Sequence, residues 1–117
     1  LGIGYKRSDR VGDVILKEIS QMILKGDIKD PRVQTAVLTD IKITDDLSSA
    51  RVFFTVMNKE VNREETLLGL QRASGFIKRE LLKRLRIRRV PNLQFKFDTV
   101  LEEGYRLDDL LRGTKVE

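Results

Sequence analysis

Two runs of alternating residues, separated by a short polar stretch, constrain this chain most. Val37, Thr39, Ile41 and Ile43 recur at every second position, which predicts a strand over about Thr35 to Thr44 with those four on one face. Ala50, Val52, Phe54 and Val56 repeat the pattern in a second strand, with Arg51, Phe53, Thr55 and Met57 on its other face. Asp45-Asp46-Leu47-Ser48-Ser49 between them is turn chemistry, so the two runs read as an antiparallel hairpin. A lone hairpin is marginal in water. The rest of the chain must supply a third strand and a covering layer.

The covering layer is helical. Val11, Val14, Ile15, Ile19, Met22 and Ile23 recur at three- and four-residue steps, predicting a helix over about Asp9 to Lys25 with Ser8 as N-cap and Gly26 just past its end. Asp30-Pro31-Arg32 marks a turn, because a residue before proline avoids helical backbone angles. A second helical stretch covers about Arg63 to Arg88. It contains Gly69 and Gly75, each costing about 1 kcal/mol relative to Ala inside a helix. Ala73-Ser74-Gly75 is its weakest point and predicts a break into two tandem helices; the alternative is that Gly75 only admits a close neighbour. After Pro91, Leu93, Phe95 and Phe97 alternate with polar residues, giving a third strand over Leu93 to Thr99. Helices intervene, so this strand must reach the sheet edge by crossing over. Glu102 to Arg112 reads as a short last helix and Gly113 to Glu117 as a fraying tail.

These elements make an α+β two-layer domain, with a three-stranded sheet packed on helices. The 117 residues suit a single domain, 1–117, of which about 100–117 is a peripheral C-terminal helix and tail. The expected core is Val11, Ile15, Ile19, Val37, Ile41, Val52, Phe54, Ile77, Leu81, Leu85, Phe95 and Phe97. No apolar run approaches the roughly 18 residues of a membrane span, and the N-terminus has no signal-peptide pattern. The chain does not begin with Met and reads as trimmed or fused; a cytoplasmic location is expected.

Composition removes most chemistry. The chain has no cysteine and no histidine, which excludes disulfides, a thiol nucleophile and the usual transition-metal ligands. Neither phosphate-binding glycine loop occurs. The carboxylate pairs Asp45-Asp46, Glu64-Glu65, Glu102-Glu103 and Asp108-Asp109 sit at turns or helix starts, where they complement dipoles. Nothing in them specifies a metal site or acid–base catalysis, so no enzyme, metal or cofactor is expected.

The charge is concentrated. The whole chain carries +5, yet residues 72–89 alone hold eight basic residues against one acidic, a local balance of +7. The basic residues are Arg72, Lys78, Arg79, Lys83, Arg84, Arg86, Arg88 and Arg89, and together they form the candidate nucleic-acid-binding set. On a helix, Ile77, Leu81, Leu82 and Leu85 form the apolar arc, and Arg79, Lys83 and Arg86 a solvent-facing stripe. Lys78 lies near the arc and must snorkel. Such a stripe suits a phosphate backbone, without base specificity. A merely solvated helix face is the plainer alternative. The strand phenylalanines are mostly core, and Phe76 would cap the helix junction, so exposed base stacking is not expected.

Several segments in order, Lys6 to Val11, Asp30 to Arg32, Asp46 to Phe53, Ala73-Ser74-Gly75, Arg89 to Leu93 and Glu103 to Arg106, resemble the ribosome-binding factor A family. That resemblance implies a type II KH-like domain in which a kinked helix pair at Ala73, Ser74 and Gly75 replaces the usual GxxG loop. It implies a non-catalytic bacterial assembly factor, a monomer that binds 16S rRNA and the free 30S subunit. It further implies a role in 16S rRNA 5′-end maturation and growth in the cold, with release helped by a maturation GTPase. A protein–protein adaptor docking an acidic partner through the basic helix is the other reading of the same charge.

Overall fold

Helix α1, Arg7–Leu24, buries Ile15, Ile19, Met22 and Ile23 along one face. The computed structural model describes residues 5–58 and 60–99, so the expected C-terminal helix and tail lie outside the described residues. The N-cap is Lys6 rather than Ser8: the Asp9 carboxylate accepts the Lys6 backbone N–H at 2.8 Å, and Ser8 is drawn into the buried side of the first turn. Val14 falls off the apolar arc and is exposed. At the other end Gly26 adopts φ +74°. The Gly26 N–H donates to Ile23 O and the Asp27 N–H to Met22 O, a Schellman closure that only a residue tolerant of positive φ makes without strain.

A 3₁₀ turn, Pro31–Val33, follows, capped by Asp30, whose side chain accepts from the Arg32 N–H. The hairpin then forms as expected. Strand β1, Ala36–Ile43, pairs antiparallel with β2, Ser49–Val56. One detail departs from simple alternation. Pairing runs Leu38↔Phe54 and then Asp40↔Phe53, so Thr39 is an extra residue in a β-bulge. The bulge changes the parity of β1. Ile41 and Ile43 face inward after it, but Ala36 and Leu38 do so before it, and Val37 is turned out to solvent instead of entering the core.

Helix α2, Arg63–Leu85, carries the chain back across the sheet. It starts at Asn62, whose side chain accepts from the Glu64 and Glu65 N–H groups. It is one helix of 23 residues, without the expected break at Ala73-Ser74-Gly75. Leu70 and Ala73 are buried before Gly75, and Ile77 and Leu81 after it. Burying a Leu or Ile contributes roughly 1.5–3 kcal/mol, more than the roughly 1 kcal/mol a glycine costs. The continuous packing on both sides therefore holds the helix together. The helix ends at Leu85, earlier than expected, because Arg86 takes the left-handed conformation at φ 54°.

Gly69 is needed for a different reason. A Cβ there would sit 3.2 Å from Arg32 Cβ, Asp30 Oδ2 and Val33 Cγ1, so the glycine lets α2 press against the 3₁₀ turn. Arg32 fastens this contact. It grips Asp30 at 2.7 Å and reaches Glu65 of α2 at 3.6 Å. Hydrogen bonds from Arg32 hold the Asp30 carboxyl down, at a pKa of about 2.

Strand β3, Asn92–Phe97, joins the free side of β2 in parallel, giving the order β1-β2-β3. The register aligns Ala50 with Leu93, Val52 with Phe95 and Phe54 with Phe97, all turned toward the helices. Phe54 and Phe97 meet edge-to-face with ring centroids 5.7 Å apart, and the Arg63 guanidinium lies 4.1 Å above the Phe97 ring. Beyond β3, Asp98 accepts a 2.5 Å hydrogen bond from Thr39, so the bulge ties the two outer strands together. Both helices cover one face of the sheet. Among the described residues, no element covers the other.

Candidate nucleic-acid interface

At roughly 100° per residue, the buried positions of α2, Thr66, Leu70, Ala73, Ile77 and Leu81, fix which side chains point away from the sheet. Arg72, Arg79 and Lys83, spaced seven and four, fall on the opposite side, and all three are exposed. The helical stripe therefore begins at Arg72, upstream of the expected Arg79, Lys83 and Arg86, and Arg86 falls past the end of the helix. Leu82 also leaves the apolar arc and is partly exposed. Arg79 extends back along the helix, with Nη1 3.8 Å from the point a Gly75 Cβ would occupy. The space that sequence reasoning assigned to a kink gives this guanidinium room to lie along the helix. Lys83 pairs with Glu80 at 3.3 Å, but its side chain stays 73 % exposed, and such pairs hold weakly.

Arg84 is placed differently from its neighbours. Its side chain turns toward α1 and meets three carboxylates: Asp27 at 2.9 Å, Glu80 at 3.2 Å and Glu18 at 3.4 Å. The hydrogen bond to Asp27 is the main cause raising its pKa further. Its donors are occupied, so this arginine fastens the end of α2 to α1 instead of presenting a charge to a ligand. The signal is present in the spacing, since residue 84 follows Ala73, Ile77 and Glu80 around the helix.

Past the left-handed Arg86, the loop alternates. Ile87 is half-buried and Val90 and Pro91 are buried, while Arg86, Arg88 and Arg89 are exposed. Three cations are thus held outward by apolar anchors, next to the end of the helical stripe. Lys78, half-buried, lies on the flank of α2 shared with Gln71 and Ser74. That flank overlooks a groove of about 340 Å³ between α2 and the free edge of β3, lined by Gln71, Ser74, Leu93, Gln94, Phe95 and Lys96. Ser74 Oγ donates to Gln71 O at 2.8 Å, satisfying the hydroxyl within the helix. Sequence reasoning misses Gln71, Gln94 and Lys96, although the alternation of β3 already turns the last two outward. Phe76 is half-buried beside Asp27, Ile28 and Arg72 and caps no junction.

Six of the eight candidate residues therefore form a band running from α2 into the loop before β3; Lys78 stands on the flank beside the groove, and Arg84 is an internal fastener. Among the described residues, no three acidic side chains gather as a metal site. No helix there is long and apolar enough to cross a membrane.

A small KH-like α+β domain with one cationic helical face is the class that this fold and this band define. A profile of the family described as "Ribosome-binding factor A" matches residues 7–111, and the chain belongs to that family. A ribosome-binding factor A from Syntrophus aciditrophicus (strain SB) is 47 % identical over 107 residues, covering 92 % of this chain and 86 % of that one. The crystal structure of ribosome-binding factor A from Thermus thermophilus superposes with a TM-score of 0.66 at 23 % identity, over 77 % of this chain and 93 % of that one. Homology-built coordinates of the Thermus thermophilus factor, fitted into a cryo-EM map of a 30S complex, give a TM-score of 0.53 at 24 % identity, over 70 % and 89 % of the chains.

Proposed function

We propose that this chain is a non-catalytic assembly factor that binds the free 30S subunit by laying its helical band on 16S rRNA. In this reading it acts as a cytoplasmic monomer, aids maturation of the 16S rRNA 5′ end, supports growth in the cold, and leaves with the help of a maturation GTPase. One observation carries the RNA contact: Arg72, Arg79 and Lys83 are aligned on the solvent side of a rigid helix, with Arg86, Arg88 and Arg89 continuing the band. Cations at fixed spacing on a helix suit phosphates, and positional contacts of this kind do not read bases. The relative described in a 30S complex supports the choice of particle.

Co-sedimentation with purified 30S, 50S and 70S particles tests the proposal. Pelleting with 30S alone, weakened by added salt, is expected. Equal pelleting with all three particles, or none with 30S, would overturn it. Competition by naked 16S rRNA separates an RNA contact from an acidic protein partner, which would leave the RNA unable to compete.

A further inference from the structure

The solvent face of the sheet carries a second set of cations. Lys42 and Arg51 are direct cross-strand partners, and the row continues to Gln94 on β3. The next row is Asp40, Phe53 and Lys96. Like charges placed directly opposite one another across a sheet repel. The Lys42–Arg51 pair therefore opposes folding unless an anion lies between its members.

Among the described residues, little neutralises them. Asp40 reaches Lys42 only at 3.8 Å, with both side chains more than half exposed. Arg51 and Lys96 form no ion pair among the described residues. Asp98 accepts from Thr39, and Asp46 of the hairpin turn accepts from Thr44 and Ser48. Between the two opposed cations lies an open hollow of about 300 Å³, lined by Lys42, Thr44, Ser49, Arg51 and Gln94 among others. The hollow is thus bordered by both cations and by the polar side chains of Ser49 and Gln94, while the Thr44 hydroxyl at its rim donates to Asp46. Asn92 and Gln94 extend the donors along β3, and Phe53, half-buried, is the aromatic ring in the middle of the face.

We infer that the open face of the sheet is a second RNA-binding surface, with Lys42, Arg51 and Lys96 on the phosphates of an RNA segment other than the one held by α2. The helices lie on one side of the sheet and this face on the other, so one chain would hold two RNA segments together. The inference rests on the proposed RNA binding and extends it from one surface to two. Complementarity favours a polyanion: the face offers cations and neutral donors, and Asp40, the carboxylate opposite Phe53, accepts from the Ile41 N–H at 2.8 Å and lies beside Lys42.

The test compares the full chain with two triple variants, Lys42→Gln/Arg51→Gln/Lys96→Gln on the sheet and Arg72→Gln/Arg79→Gln/Lys83→Gln on the helix. The probe is an oligouridine of about twelve nucleotides. Stoichiometry is read by native mass spectrometry, and affinity at several salt concentrations. The full chain is expected to take two oligonucleotides and each variant one. Losing three phosphate contacts should flatten the slope of log affinity against log salt by about two at the altered surface. The sheet variant should melt no lower than the full chain, since its repelling pair is gone.

A stoichiometry of one for the full chain overturns the inference. So does a sheet variant that still takes two oligonucleotides. Polyaspartate serves as the control for an acidic protein partner: if it displaces oligouridine from the sheet face at equal charge concentration and the reverse fails, the face docks protein and the inference falls. If the helix variant alone loses RNA while the sheet variant matches the full chain, the proposed function stands and the second surface falls. If the full chain takes no RNA at any salt concentration, both fall.

Discussion

Arg84, in the last turn of α2, donates to the carboxylate of Asp27, 2.9 Å away, just past the end of α1. Asp27 is also the residue whose N–H closes the end of α1 on Met22 O. One residue thus terminates one helix and anchors the other. Arg84→Gln is expected to lower stability by about 1 kcal/mol, because three carboxylates then face one another without their shared cation. Arg79→Gln, on the solvent side of the same helix, should change stability little. Urea unfolding of both variants checks the contrast, and equal losses would show that Arg84 is only another surface charge.

The two glycines of α2 should respond oppositely to alanine. At Gly75 a new Cβ meets only the flexible end of Arg79 at 3.8 Å, so Gly75→Ala should stabilise by about 0.5–1 kcal/mol. At Gly69 it meets three atoms at 3.2 Å in a turn fastened by Asp30 and Arg32, so Gly69→Ala should destabilise by about 1 kcal/mol despite the better helix former. Thermal melts of the two variants decide this. A stabilised Gly69→Ala would mean that the turn yields easily.

Asp30 gives an acid-dependent signature. Its carboxyl titrates at about 2 in the folded chain against an ordinary 3.8. A depressed folded value means that the ionised carboxylate stabilises the fold above the ordinary value, and that this contribution disappears as pH falls toward about 2. The melting temperature of the wild type should exceed that of Asp30→Asn at neutral pH, and the gap should close between those two values. A gap that persists unchanged at the acid end would rule out the ionised Asp30–Arg32 contact as its source.

Binding should depend on the helical stripe through charge alone. Replacing Arg72, Arg79 and Lys83 together with Gln should leave the fold intact, since all three are exposed. Affinity for 30S should fall, and the slope of log affinity against log salt should flatten by about two. Titration of 30S at several salt concentrations measures both quantities. Unchanged affinity and slope would remove α2 from the interface.

Periodicity makes the elements legible, and local exceptions hide the rest. The order of helices and strands, the hairpin and the crossover to β3 all follow from patterns of two and of 3.6. Alternation misplaces Val37 because a single bulged residue, Thr39, reverses the parity of the strand, and an insertion that pairs with nothing leaves no mark on the pattern. The break expected at Gly75 does not form because propensity is local, while Leu70, Ala73, Ile77 and Leu81 are held by the rest of the fold. The basic run is plain as a count. Which of its members face outward depends on helical angle and on carboxylates distant in sequence, Glu18 and Asp27, that claim Arg84.

The parallel pairing of β2 with β3 also orders events during synthesis. The hairpin and α1 can assemble from the first half of the chain, through local contacts that close quickly. The inner side of β2 then still lacks Phe95, and Phe54 lacks the ring of Phe97. Neither can arrive until the 23 residues of α2 have been made and carried across. A nascent chain stopped before residue 92 therefore exposes a bare strand edge beside an unfinished core, the condition in which edges pair with other chains. The last strand of the sheet to be translated completes it, and a truncation that removes this strand should yield an aggregating fragment instead of a smaller working domain.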